Sequence, residues 1–147
     1  MPRPKEGKSR DSSPTHYSVG AIIKMGERYL LVDRANYPFG FAGITGHVNQ
    51  GENETQAIKQ TVKNDSGLKV ERLRLIYEEE LPWSQCSSGF KGHHWFLFEC
   101  IVSGIEKENR KELKMMGWYS KEQIQKLKLA PTWEYWFEKM GILEPHN

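Results

Sequence analysis

One stretch, Gly46 to Leu68, dictates more local structure than any other part of the chain. Asn53 is a good N-cap, because its side-chain oxygen can accept from the free N–H groups of a first helical turn. Glu54 then places a carboxylate at the positive end of the helix dipole. Ala57, Ile58 and Val62 recur at helical spacing and give the helix one apolar side. Gly67 suits the left-handed position just past the helix end, and Leu68 can pack back as the chain leaves. The stretch is predicted to run loop, helix, loop, with about three turns of helix. Gln60, Thr61, Asn64 and Asp65 are expected to share a second, exposed face.

Strands are predicted on both sides. Tyr17–Met25 is rich in strand formers, Gly26-Glu27-Arg28 reads as a turn, and Tyr29–Val32 as the second arm of a hairpin. Asp33 to Phe41, broken by Pro38 and Gly40, reads as a loop, and Gly43–Val48 as a short strand leading into the helix. Beyond it come a long strand at Val70–Leu81, a loop over Pro82–Gly92, and the run His94–Val102. That run is too apolar for a half-wet strand and is placed centrally in a sheet. Leu113–Tyr119 is a last strand. Ser120 is expected to cap a short helix holding Ile124 and Leu127, and Thr132 a final helix with Trp133, Trp136, Phe137 and Met140, ended by Gly141.

At 147 residues the chain is long enough for one domain with a real core. Residues 1–14 carry Arg3, Lys5, Lys8 and Arg10 among Pro, Ser and Gly, so they read as a basic disordered tail, with the domain over 15–147. That tail is either a solubilising leader or a contact for nucleic acid or another polyanion. The overall charge of +2 implies no strongly charged partner. No run of about 18 apolar residues suggests a membrane span. Cys86 and Cys100 fit no metal spacing, which suits a reduced, cytoplasmic protein.

The spacing of the central stretch resembles the Nudix box, G-x5-E-x7-R-E-U-x-E-E-x-G-U, with U a bulky aliphatic residue. Gly46 stands at the first glycine, Glu52 at the first glutamate, Val62 at the aliphatic position, and Gly67 and Leu68 at the end. The strand order matches as well, and Gly117-Trp118-Tyr119-Ser120 leading into Ile124 is similar to the family's late strand-then-helix segment. The resemblance implies an α/β fold, a Nudix-like α/β/α sandwich with a mixed central sheet. It departs in chemistry. Gln60 stands where the family has arginine, and Thr61, Asn64 and Asp65 stand where it has glutamates.

What the resemblance implies is hydrolysis of a phosphoanhydride in a nucleoside diphosphate derivative with Mg²⁺ or Mn²⁺, water attacking phosphorus. Magnesium can manage with one or two carboxylates when phosphates and waters complete its shell, so a thinned set of acids predicts weak or altered activity. Asp65 and Asn64 are the candidate metal ligands. Asp65 would sit in the last helical turn, which disfavours a carboxylate by roughly 0.3–1 kcal/mol unless a cation offsets it, and it is about 1.5 Å shorter than glutamate. With Asp65, Glu78 and Glu80 are candidate catalytic acids, because the resemblance allows an acid from beyond the box; alternation puts these two on one side of their strand and Glu79 on the other. Glu52 is expected to shape its loop. His47, His93 and His94 are possible proton shuttles, and the adjacent pair cannot share one strand face.

Arg34 could meet a phosphate, Tyr37, Phe39 and Phe41 could stack on a base, and Gly46 would let a backbone approach. Trp83 and Phe90 have a similar claim on the other long loop. Against each stands a plainer reading: loop aromatics packing on the sheet, acids solvated at an element end. Two functions remain open. One is a hydrolase of low activity; the other is a catalytically inactive module of the same fold that binds a nucleotide or a partner protein.

Overall fold

Period-two alternation along the strands decides which side chains meet which helix. The structure, a computed structural model, describes residues 5–8, 14–36, 39–83, 93–111 and 113–144. The strands are β1 (Glu6–Lys8), β2 (Pro14–Met25), β3 (Arg28–Arg34), β4 (Phe41–Ala42), β5 (Ile44–His47), β6 (Lys69–Leu81), β7 (His93–Ser103) and β8 (Leu113–Ser120). The helices are α1 (Glu54–Ser66), α2 (Lys121–Ile124) and α3 (Pro131–Lys139). The sheet runs β4-β3-β2-β7-β6, with β1 and β5 also pairing β2, and β8 pairing β3. β2 and β7 are parallel and the other pairs antiparallel, so the sheet is mixed. β7 lies between β2 and β6, as its continuous apolar run predicts.

Each face of the sheet carries its own core. Val19, Ala21 and Ile23 of β2 join Ala57, Ile58 and Val62 of α1, with Phe98 and Cys100 of β7. Ile22 joins Trp95 and Leu97 with Ile124, Trp133, Trp136 and Phe137 on the opposite side. Odd positions of β2 therefore face α1 and even positions face α3, which makes the layers α/β/α. Trp133 is the centre of the second layer. Its indole lies over β2 and the β4–β5 link, where a Cβ on Gly43 would stand 2.6 Å from Cζ3 and one on Gly20 2.9 Å from Cζ2. The same indole donates from Nε1 to Thr45 Oγ1 at 2.9 Å, so its one polar atom is satisfied inside the core.

Two local expectations change. Thr132 does not cap α3: Ala130 is the N-cap, extended at φ −61°, and Pro131 occupies the first turn. Proline is favoured there because the N–H it lacks would have had no helical partner. Within the segment expected to lack structure, Glu6–Lys8 pairs with β2, Glu6 opposite His16, and the Lys5 N–H donates to Val48 O at 2.6 Å. Ser120 caps α2 as expected, in a reciprocal box with Gln123. No helix among the described residues is long and apolar enough to cross a membrane.

Candidate functional site

The loop–helix–loop at 46–68 is held by its own polar side chains. Asn53 Oδ1 accepts from the Gln56 N–H at 2.8 Å while Gln56 Oε1 accepts from the Asn53 N–H at 2.9 Å, a complete capping box. Glu52 is turned into its loop, where Oε1 accepts from the Asn49 N–H at 2.8 Å. It shapes the approach to α1. Gly67 ends the helix in the left-handed conformation, φ 77°, and its N–H donates to Lys63 O. The chain at 105–109 then folds over this end: Lys107 N–H donates to Ser66 O and Asn109 N–H to Asp65 O. These bonds satisfy carbonyls that a helix C-terminus leaves open.

Gly46 meets α1 at Thr61. A Cβ on Gly46 would overlap the Thr61 hydroxyl and lie 2.8 Å from Cγ2, so strand and helix approach to glycine distance. That contact splits the four positions expected to share one exposed face. Gln60 and Asn64 are exposed, Thr61 is half-buried against β5, and Asp65 is buried, 7% exposed. The reason is angular. Each residue turns the helix by about 100°, so 61 and 65 form one stripe and 60 and 64 another. The Thr61 stripe borders Ile58 and Val62 and so faces the sheet.

Asp65 accepts at Oδ1 from Asn64 Nδ2 at 3.3 Å. The last turns of α1 thus offer one carboxylate, withdrawn from water, beside neutral amides and a hydroxyl; the other acid of the helix, Glu54, lies in its first turn. A hard divalent cation held by protein alone would find too little negative charge there. Glu78 and Glu80 do lie on the α1 side of β6, as alternation requires, since their Cα partners are Phe96 and His94. They are not beside Asp65. Gly46, Val19, Phe96 and Glu78 are successive Cα partners across β5, β2, β7 and β6, so Gly46 and Glu78 stand ~14 Å apart at about 4.8 Å per strand. Asp65 lies further off still, next to the Lys69 end of β6, with roughly 30 Å of strand between Lys69 and Glu78.

The other acids and histidines have partners of their own. Glu78 Oε2 and His94 Nε2 are 2.9 Å apart. The His94 ring lies between Tyr17, at 5.5 Å, and Phe96, at 5.1 Å. Glu79 faces α3, where it accepts from Tyr135 Oη and Lys139 Nζ. Burial pushes the Glu79 carboxyl up, but those two bonds and the Lys139 charge bring it below its ordinary range. Glu79 therefore ties β6 to α3. His93 and His94 do point to opposite faces: His93 is buried on the α3 side beside Trp95.

Of the expected binding residues, Arg34 ends β3, half-buried, close enough to the β5 end for its charge to act on His47. Burial first, and that charge second, hold the His47 imidazole below its ordinary pKa. Phe39 is 56% exposed, with Lys114 Nζ 5.6 Å from its ring centre. Phe41 is a packing residue: its ring meets Tyr119 at 5.7 Å, and its backbone bonds to Lys128 and Ala130. Trp83 is exposed beside Tyr135. Tyr37, Phe90 and Cys86 lie outside the described residues. His16 lies within β2, which extends beyond the expected start of that strand at Tyr17.

Comparison with known proteins places this geometry. A family model described as the NUDIX domain matches residues 14–140. The NAD-capped RNA hydrolase NUDT12 of Macaca fascicularis is 25% identical over 103 residues, 67% of this chain and 20% of that protein, so the chain spans about a fifth of its length. A NUDIX hydrolase from Nitrosomonas europaea superposes with a TM-score of 0.70 at 21% identity, covering 86% of this chain and 88% of the other. The NUDIX domain of Shewanella oneidensis NrtR, solved with ADP ribose, gives 0.72 at 14% identity, covering 86% of each chain. The two solved structures share the fold described above.

Proposed function

The chain belongs to the NUDIX domain family, and from that premise we propose that it engages a nucleoside diphosphate derivative and hydrolyses its phosphoanhydride slowly. The observation that carries the reading is the α1–β5 junction. Gly46, Asn53 and Gly67 fix the loop–helix–loop whose spacing resembles the Nudix box, while the acids expected on its helix are reduced to a buried Asp65. NAD-capped RNA, acted on by the Macaca relative, and ADP ribose, bound by the Shewanella NrtR domain, share one chemistry: a nucleoside diphosphate bearing a further group. That is the substrate class proposed here.

Arg34 supplies charge for the diphosphate, and Phe39, with Lys114 beside it and Tyr37 nearby in sequence, supplies a stacking surface for the base. Mg²⁺ or Mn²⁺ would arrive on the diphosphate, since α1 does not hold a hard cation unaided. Asp65 and the Asn64 carbonyl are the α1 oxygens available to it; Glu78 and Glu80, roughly 14 Å or more away across the sheet, are proposed as acids for a part of the substrate that this ion does not touch. A free, buried Cys100 suits a reducing compartment, and we place the protein in the cytoplasm.

A second reading has its own support. Asp65 sits on the core stripe of α1 and takes the Asn64 amide, so the domain could bind a nucleotide or a partner protein and leave it uncut. One experiment separates the two. Wild type and Asp65→Asn are titrated with ADP ribose and a panel of nucleoside diphosphate derivatives, with and without Mn²⁺, following both binding and product release. Slow hydrolysis is expected, at least about 10²-fold below the usual ~10 s⁻¹, and lower again in the variant. Binding with identical, background cleavage in both proteins would favour the binding module. Failure to bind any member of the panel would overturn the nucleotide reading.

A further inference from the structure

Three strands deliver three imidazoles to one point on the face of the sheet away from α1. His16 and His93 are Cα partners in the parallel β2–β7 ladder. His47 is the Cα partner of Ser18, two residues along β2 from His16 and therefore on the same face. That face is the one that carries Ile22, Trp95, Leu97 and Trp133. The ring centroids are 5.0 Å apart for His16–His47, 5.8 Å for His16–His93 and 5.6 Å for His47–His93. One nitrogen from each ring lies within 4.8 Å of the others. His16 and His93 are buried and His47 half-buried.

We propose that His16, His47 and His93 form a binding site for a d-block divalent cation, with Zn²⁺ as the reference ion. Imidazole nitrogen suits zinc, copper, nickel and iron, and gives magnesium and calcium little. At a Zn–N distance of 2.0–2.1 Å, tetrahedral coordination requires nitrogens about 3.3 Å apart. The nitrogens, all within 4.8 Å of one another, would have to draw in by at most about 1.5 Å to reach that spacing. Three protein ligands leave one position for water or an anion. Glu6, the Cα partner of His16 on β1, brings a carboxylate to the same face, where it can orient a ligand or the bound water. This site is separate from α1 and does not depend on how the diphosphate reading turns out.

The test uses the full, untagged chain, stripped with chelator and titrated with Co²⁺, whose visible bands are intense only in four-coordinate sites. One Co²⁺ per chain is expected, displaced by Zn²⁺ and not by a large excess of Mg²⁺. Saturating Zn²⁺ should raise the melting temperature by roughly 5 °C or more, because a ligand that binds only the folded state stabilises it. His47→Ala, the variant least disruptive to the core, should lose at least about a hundredfold in affinity, and His16→Gln and His93→Gln should do the same while remaining folded by circular dichroism. His94→Ala should bind normally, since that ring faces the other side of the sheet. Absence of four-coordinate Co²⁺ would refute the site. Equal binding by His47→Ala and His94→Ala would place the ion elsewhere and refute it too.

Discussion

Gly46 shows how little room a single position can leave. Gly46→Ala introduces a methyl that meets the Thr61 side chain. Overpacking of this kind costs about 1–3 kcal/mol, more than the ~0.4–1 kcal/mol that alanine gains by restricting the unfolded chain. Urea denaturation should show the loss, and Thr61→Ala in the same molecule should recover about 1 kcal/mol or more through coupling of neighbours. Simple additivity of the two changes would mean that the contact is not the cause. His47 makes a second residue-scale prediction. Its folded pKa lies below its ordinary value, chiefly by burial, whereas the unfolded chain titrates near 6.5. As pH falls below about 6.5 the unfolded state takes up the proton first, so the stability present at higher pH is lost until the folded pKa is passed. Metal-free protein should melt lower at about pH 5.5 than at about pH 7.5, and His47→Gln should shrink that difference. An unchanged difference in the variant would assign the effect to other groups. His16 stands one residue before the run Tyr17–Met25 that reads as a strand, so the sequence does not mark it as part of the same ladder, although β2 begins at Pro14.

The helix α1 carries the element-scale test. Gln60→Arg and Asn64→Glu change exposed positions and should each move stability by no more than about 0.5 kcal/mol. Thr61→Glu and Asp65→Glu enlarge the sheet-facing stripe and should cost about 1–3 kcal/mol each. All four together restore the charges of the family pattern. If the diphosphate is bound, Mg²⁺-dependent hydrolysis should rise at least about tenfold over wild type, which corresponds to ~1.4 kcal/mol of barrier. A folded variant that binds both metal and ADP ribose without faster cleavage would rule out α1 as the seat of the deficit. The helix itself was fully legible: Asn53, Gly67 and the spacing of Ala57, Ile58 and Val62 act through local chemistry alone. Burial of Asp65 follows from the same periodicity, since 61 and 65 share the stripe toward the sheet; the 105–109 segment that bonds the last helical carbonyls was not legible, because it arrives from far along the chain.

At the scale of the molecule, most strands in their chain order and the interior place of β7 are readable from alternation and apolar runs, whereas β1 and β4 fall in or beside segments read as tail and loop. Which histidines meet is not readable, since it is set by the register of β2 against β5 and β7, partners distant in sequence. The same parallel ladder decides when the domain can exist at all. Val19 and Phe96 are neighbours across roughly 77 positions of sequence, so the middle of the sheet closes only after most of the chain is present. A ribosome adding about 5–20 residues per second holds β2 without its parallel partner for ~4–15 s. During that interval Val19, Ala21, Ile22 and Ile23 have no finished core to enter, and the nascent chain is most exposed to association with its copies. High contact order of this kind also slows refolding, which should occur in milliseconds to seconds in stopped-flow dilution from urea. A sub-millisecond phase carrying the full amplitude would show that closure of β2 on β7 does not limit the rate.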